Sequence, residues 1–405
     1  MSFSIINKTT SLSSLSDVNV SPVDGYSLVW DNTLQKWVSY SQSPIWPNTP
    51  TGSQVIRQLR EWRSPFIGTA TLSNMSATLT GTVKWRGGVL APNGKIYGIP
   101  SDSTDILIIN PVSGTATRSE MGAGTLTGTD KWNGGVLAPN GKIYGIPLNS
   151  TNILIIDPIT ESASVMAGVN LTGTDKWMGG VLAPNGKIYG IPFGSADILI
   201  IDPVAGTATR SSMGATLTDS DKWFGGVLGS DGKIYGIPYT STDILIIDPV
   251  AGTATRSSMG ATLTGTAKWM GGVLGPNGKI YGIPLFSTDI LIIDPVSGTA
   301  TRSSMGVNLT GSSKWRGGVL GPDGKIYGIP FGSDNILIID PVAGTSTRSA
   351  MGADLSASSK WLGGVLGSNG KIYGIPYSST LILMINNGVN SFENSLTLSP
   401  YLNKL

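Results

Sequence analysis

The chain has 405 residues, 40% hydrophobic and 13% charged, with 55 glycines; this suits a large globular body of strands and tight turns and argues against highly charged disorder. Lys and Arg number 27 against 25 acids, so the net charge of +2 gives no reason to expect nucleic acid as a partner. Cysteine and histidine are both absent, which removes disulfides, thiolate and imidazole metal sites, Cys nucleophiles, Ser-His-Asp triads and imidazole acid-base catalysis.

Residues 1–18 show no basic segment followed by an apolar stretch, and no run nears the roughly 18 apolar residues of a membrane span, so neither a signal peptide nor a span is expected. Residues 1–60 differ in character from the rest of the chain. They carry Leu15-Ser16-Asp17-Val18, Pro22, Gly25, Leu28-Val29-Trp30-Asp31 and Lys36-Trp37-Val38. Asp31-Asn32 is expected to turn a small β-hairpin whose strands hold Trp30 and Trp37, an apolar pair too small to be stable alone. The linker Ser41 to Ser53, with Pro44, Pro47 and Pro50, reads as an extended spacer, and Val55 to Arg63 fits either one short helix or one strand.

The pattern L-x-D-V, then P-x-x-G-x-x-L-x-W-D, then W-V, spread over residues 12–40, resembles a short module found near the start of bacteriophage tail-fibre and other virion structural proteins. The resemblance implies a virion location, on the tail fibre or the capsid surface. It further implies docking of residues 1–60 onto other virion proteins through Leu15, Asp17, Val18, Leu28, Trp30, Asp31 and Trp37. Fibre-like proteins of this kind are often trimeric, so a homo-oligomer is also implied.

From residue 61 to about residue 400 the chain is a repeat. The string K-W-x-G-G-V-L-x-x-[ND]-G-K-I-Y-G-I-P recurs seven times, starting at Lys84, Lys131, Lys176, Lys222, Lys268, Lys314 and Lys360, at intervals of 45 to 47 residues. Each unit holds four strand-like pieces, in the third unit Gly-Gly-Val-Leu at 179–182, Lys187 to Pro192, Ile198 to Ile201 and Thr207 to Ser211. Asn185-Gly186 suits a two-residue type I′ hairpin, and Asp-Pro-Val-Ala-Gly at 202–206 a second turn. The Ile-Leu-Ile-Ile run is apolar on both faces and should lie between neighbouring units, and the glycine pair should put its strand innermost. The fold class is therefore all-β: a seven-bladed β-propeller of four-stranded blades with 46-residue repeats, and a small N-terminal β-hairpin region. Ser64 to Thr71 aligns with Asp202 to Thr209, so a strand at about 68–75 is expected to complete the last blade, with Ser391 to Leu398 as the competing candidate. The repeat is similar to kelch-like propellers in its glycine pairs and aromatic placement only; no Trp-Asp ends a blade and no sialidase box is present.

Positions that differ between repeats are where a partner could be read. After each Lys-Trp stand Arg86, Asn133, Met178, Phe224, Met270, Arg316 and Leu362; after each Gly-Ile-Pro come pairs that include Phe193, Tyr239, Phe286, Phe331 and Tyr377. Strand order puts both sets on one face, as a rim suited to carbohydrate rings or a protein surface. The alternative is that these are drifting loop residues that cap blade packing. The recurring Lys84-type and Lys95-type lysines and Asp157, Asp202, Asp248, Asp294 and Asp340 read as a structural charge lattice, and Arg118, Arg210, Arg256, Arg302 and Arg348 as outer-strand charges that discourage edge pairing. No calcium-loop pattern occurs, so no metal or cofactor is expected. The leading functional expectation is a fibre or attachment head that binds a host-surface glycan or protein. Its alternatives are an architectural capsid-decoration or collar component, a binding propeller unconnected with any virus, and a glycan lyase or hydrolase. Catalysis is not expected, because histidine is missing and no blade carries a unique acid pair.

Overall fold

A computed structural model describes residues 68–122, 126–166 and 171–387, and the strands β1 (Tyr26–Asp31) and β2 (Lys36–Ser41). Among the described residues there are thirty strands, β1–β30 in chain order. β1 and β2 pair antiparallel with Trp30 opposite Trp37 and Asp31 opposite Lys36, in a unit separate from the propeller. Leu15, Asp17, Val18, the rest of the linker and residues 391–398 lie outside the described residues.

The first blade is the antiparallel sheet β4 (Trp85–Leu90), β5 (Ile96–Pro100), β6 (Ile106–Asn110) and β7 (Thr115–Ser119), in that order. β8–β27 repeat this arrangement five times. The seventh blade takes β28 (Trp361–Leu366), β29 (Ile372–Pro376) and β30 (Ile382–Asn386) from the end of the repeat array and β3 (Thr69–Ser73) from before its start. The closing register runs from Thr69 opposite Asn386 to Ser73 opposite Ile382.

The glycine pair explains the innermost strand. In β4 a bulge between Trp85 and Gly88 breaks the register with β5, and Gly87 there has φ +75°. A Cβ on Gly87 would stand 3.4 Å from the Cα of Gly134, and the same approach passes through Gly179, Gly225, Gly271, Gly317 and Gly363 back to Gly87. Seven backbones thus touch around one axis, which only a residue without a side chain allows.

The turn between the first two strands is not the expected two-residue type. Ala91 N donates to Lys95 O at 2.9 Å and Gly94 N to Ala91 O at 2.9 Å, and of the Asn93-Gly94 pair only the glycine has positive φ. This is the three-residue loop that ends on a left-handed glycine. Asn93 is used elsewhere: its Nδ2 donates to Tyr97 Oη and to the carbonyl of Pro158 in the next blade, each at 2.9 Å. At the other turn, Asp202 Oδ1 accepts from Val204 N and Ala205 N at 3.1 and 2.9 Å.

Seven apolar clusters fill the spaces between blades. In one, Trp223, Leu245 and Ile247 pack on Tyr189, Ile191 and Ile198 of the preceding blade. Each such buried side chain contributes roughly 1.5–3 kcal/mol. The indole Nε1 donates to a carbonyl twenty residues on in every blade, as Trp85 does to Asp105 O at 2.8 Å.

The charges divide by class. Lys142, Lys187, Lys233, Lys279 and Lys325 pair with Asp157, Asp202, Asp248, Asp294 and Asp340 of their own blades at 3.3–3.9 Å, half-exposed contacts worth at most about 1 kcal/mol each. Lys84 and its equivalents do not join this lattice; they are buried and donate to backbone carbonyls. Four of the outer-strand arginines, Arg118, Arg210, Arg256 and Arg302, turn inward: each stacks over the tryptophan of its own blade and pairs with an aspartate, as Arg302 does with Trp269 and Asp289. Arg348 stacks over Trp315 in the same way but donates to the Asn308 carbonyl at 3.0 Å.

Candidate functional site

The residue after Gly-Ile-Pro is held by backbone alone. Its N–H donates to the carbonyl of the Lys84-type lysine in its own blade, and its carbonyl accepts from the backbone N–H of that lysine in the next blade. For Tyr239 these bonds are to Lys222 O at 2.8 Å and from Lys268 N at 3.0 Å. In most blades the lysine Nζ reaches the same carbonyl, as Lys222 reaches Phe193 O at 2.9 Å and Lys314 reaches Leu285 O at 2.9 Å. A belt of lysines therefore stitches blade to blade and fixes the main chain there, leaving the side chain free to differ from repeat to repeat.

Those variable side chains meet on the axis. One apolar cluster draws on five blades rather than two: Leu148, Met178, Phe193, Phe224, Met270, Leu285 and Leu362, with Tyr239 and Tyr377 packed at its edge. Side chains from blades that are not neighbours can share one cluster only where all blades converge, above the glycine ring. Phe193, Phe224 and Tyr239 stand with ring centroids 5.5–6.1 Å apart, and Phe331 and Tyr377 at 5.6 Å.

The side chains expected from the sequence to form a displayed rim are thus drawn together around the axis, at its mouth. Met178, Phe224, Met270, Leu362, Phe193, Phe331 and Asn133 are buried, Arg86, Arg316, Tyr239 and Tyr377 reach solvent in part, and Phe286, 44% exposed, stands outside the cluster.

Polar groups enter this mouth from blades one, two and six. Arg86 pairs with Asp130 and lies 5.6 Å from the Tyr377 ring. Asp102 Oδ1 in turn accepts from Asp130 N at 2.6 Å. Asp130 is a member that repeat comparison did not single out; the signal was its place directly before a Lys-Trp. Arg316 stacks with its guanidinium carbon 3.4 Å from the Phe331 ring centroid and makes no ion pair or hydrogen bond among the described residues. Burial lowers its pKa, while the nearby hydroxyls of Tyr377 and Tyr239 act the other way. Tyr239 is pushed upward by burial, so its hydroxyl stays protonated at neutral pH. Asn133 Nδ2 is buried with no partner. Among the described residues no three acids gather to hold a metal ion.

No family model matches the sequence, and no curated protein matches it either. Solved structures do. A catalytically inactive histidine-to-alanine variant of virginiamycin B lyase from Staphylococcus aureus, determined with quinupristin, is 16% identical with a TM-score of 0.62, over 79% of this chain and 99% of that one. A streptogramin B lyase is 15% identical with a TM-score of 0.64, over 80% and 99%. The extracellular domain of a one-component system from B. thetaiotaomicron is 10% identical with a TM-score of 0.56, over 76% and 41%. What is shared at such identity is the propeller fold.

These matches correct the functional expectation drawn from residues 12–40. The propeller fold extends over some four-fifths of the chain and is shared with bacterial lyases and an extracellular domain. The bacteriophage resemblance, the fibre or capsid-decoration role, the virion partners of residues 1–60 and the virion location are set aside. The resembling pattern is short and made of turn and strand residues that any small hairpin uses. The exclusion of enzymatic activity is also withdrawn, since this fold carries catalysis in those lyases. Their chemistry is not copied, because a histidine whose replacement inactivates the S. aureus enzyme can have no counterpart in a chain without histidine.

Proposed function

We propose that the chain is a lyase that acts on a small ligand seated in the axial mouth, with tyrosines and guanidinium groups in place of imidazole. The carrying observation is the break in sevenfold symmetry there: two arginines, an asparagine and two tyrosines interrupt an otherwise apolar set of equivalent positions. In an elimination, a guanidinium on a carboxylate or carbonyl of the ligand acidifies the adjacent C–H by stabilising the enolate-like charge. Tyr377, flanked by Arg86 and Arg316, first gives its hydroxyl proton to solvent and as the phenolate accepts the C–H proton; the C–H electron pair becomes the new double bond. The β-substituent leaves with its bonding pair and takes a proton from Tyr239, whose raised pKa keeps it a donor.

The test is a panel of β-substituted carboxylic acids and esters, followed by the ultraviolet absorbance of the conjugated product. Tyr377→Phe is expected to lower kcat by about 10²-fold or more with little change in KM. Turnover unaffected by Tyr377→Phe removes the assigned base, and ligand binding without turnover of any panel member removes the lyase reading.

A further inference from the structure

Resting on that reading of the mouth, we infer that its ligand is a monoanion: a carboxylate on an apolar or aromatic body, held by Arg316 with help from Asn133. Arg86 has Asp130 and the belt lysines have main-chain carbonyls, so among the described residues Arg316 is the one cation at the mouth with neither an acid nor a carbonyl to donate to. Other arginines also leave a buried Nε unpaired, but Arg118, Arg256, Arg302 and Arg348 each keep an acid or a carbonyl on the rest of the guanidinium. Arg316 has only the face of Phe331.

A half-buried guanidinium with no anion carries a desolvation cost, and an arriving oxyanion offsets it. One guanidinium without a partner suits a monoanion better than a phosphate dianion. The planar fork suits two coplanar oxygens, and Asn133 Nδ2 is a further buried donor in search of an acceptor. Arg316 lies on Phe331, which packs on Tyr377, and the axial cluster beside them includes Leu362 and Met270; such walls suit a ring or alkyl body and offer a sugar few partners.

The repeat supplies its own control, because Met178 and Met270 occupy the position of Arg316 in two other blades. Arg316→Met should therefore fold, and with the unpaired charge gone it should melt no lower than the parent in the absence of ligand. Titration of the full chain, followed by calorimetry or NMR, uses benzoate, benzyl alcohol and inorganic phosphate as probes. Benzoate is expected to bind, with about tenfold to hundredfold loss in Arg316→Met and a smaller loss in Asn133→Ala. Benzyl alcohol should bind more weakly and be indifferent to both changes. The inference is overturned if benzoate does not bind, if benzyl alcohol or phosphate binds as tightly, or if folded Arg316→Met holds benzoate as the parent does. Benzoate binding without elimination of any substrate overturns the lyase and leaves the anion site. Elimination that is insensitive to Arg316→Met does the reverse.

Discussion

A lysine that is buried without a carboxylate is held by geometry and not by charge pairing. Lys268 shows the arrangement, with Nζ donating to the carbonyls of Tyr239, Ser241 and Gly265 at 3.1, 3.0 and 2.8 Å. Burial pulls Lys84, Lys131, Lys176, Lys222, Lys268 and Lys314 down to about 8, and Lys360 in the same direction. Above that pH the folded chain sheds protons that the unfolded chain keeps, so stability rises as pH climbs from about 8 towards the ordinary lysine value. Tyrosines act oppositely: burial raises Tyr97, Tyr235, Tyr327 and Tyr373, so above about pH 10 the folded state holds protons that the unfolded state loses. Thermal melts are expected to show Tm climbing between about pH 8 and about pH 10 and then falling. A flat or falling Tm through the first interval would mean the carbonyl cage holds the ammonium as firmly as water does. No pattern of residue types announced this belt, because its acceptors are main-chain carbonyls that leave no mark on the sequence.

Within one blade, the outer strand settles how the tryptophan is roofed. Five blades place an arginine there, over Trp85, Trp177, Trp223, Trp269 and Trp315. In the second blade the outer strand Ser162–Met166 carries Val165 at that position, and Asn152 stands where Asp105 stands in the first. A cleft of about 350 Å³ opens beside Trp132, lined by Lys131, Asn152 and Val165 among others. Installing Val165→Arg together with Asn152→Asp should fill it and raise stability by about 1 kcal/mol, from a cation–π contact and a partly exposed ion pair. Calorimetry checks this, and Val165→Arg alone should gain less. Blade number, strand order and closing alignment could be read in advance because each is a periodic consequence of residue type: the tryptophan at constant interval, the glycine pair, the apolar third strand. The mouth could be read only as a set of positions. Its inward orientation follows from seven inner strands meeting at one axis, which turns what a single repeat presents as loop surface into a shared interior. The turn type was misread for a local reason: Asn93-Gly94 fits two hairpin loops, and the bond from Ala91 N to Lys95 O decides between them.

For the whole molecule, closure is the decisive contact. β3 pairs with β30 over five residues, and Ala70 packs with Leu383 and Ile385 in the last inter-blade cluster. A chain that begins after Asn74 should melt well below one that begins at Arg63 and should associate with rising concentration through the bare edge of Ile382–Asn386. Calorimetry and size-exclusion chromatography over a dilution series distinguish this from a ring that stays shut without the strand. The same seam carries another meaning. Thr69 lies opposite Asn386 just as Thr207 lies opposite Asp202, the residues that flank an ordinary Asp-Pro-Val-Ala-Gly turn elsewhere in the ring. Covalently, then, the seventh blade is an interrupted copy of the others, and the interruption is portable: joining Asn386 to Thr69 through such a turn and cutting any other blade at its own would give a circularly permuted chain with the same contacts. The folded ring itself has no first blade.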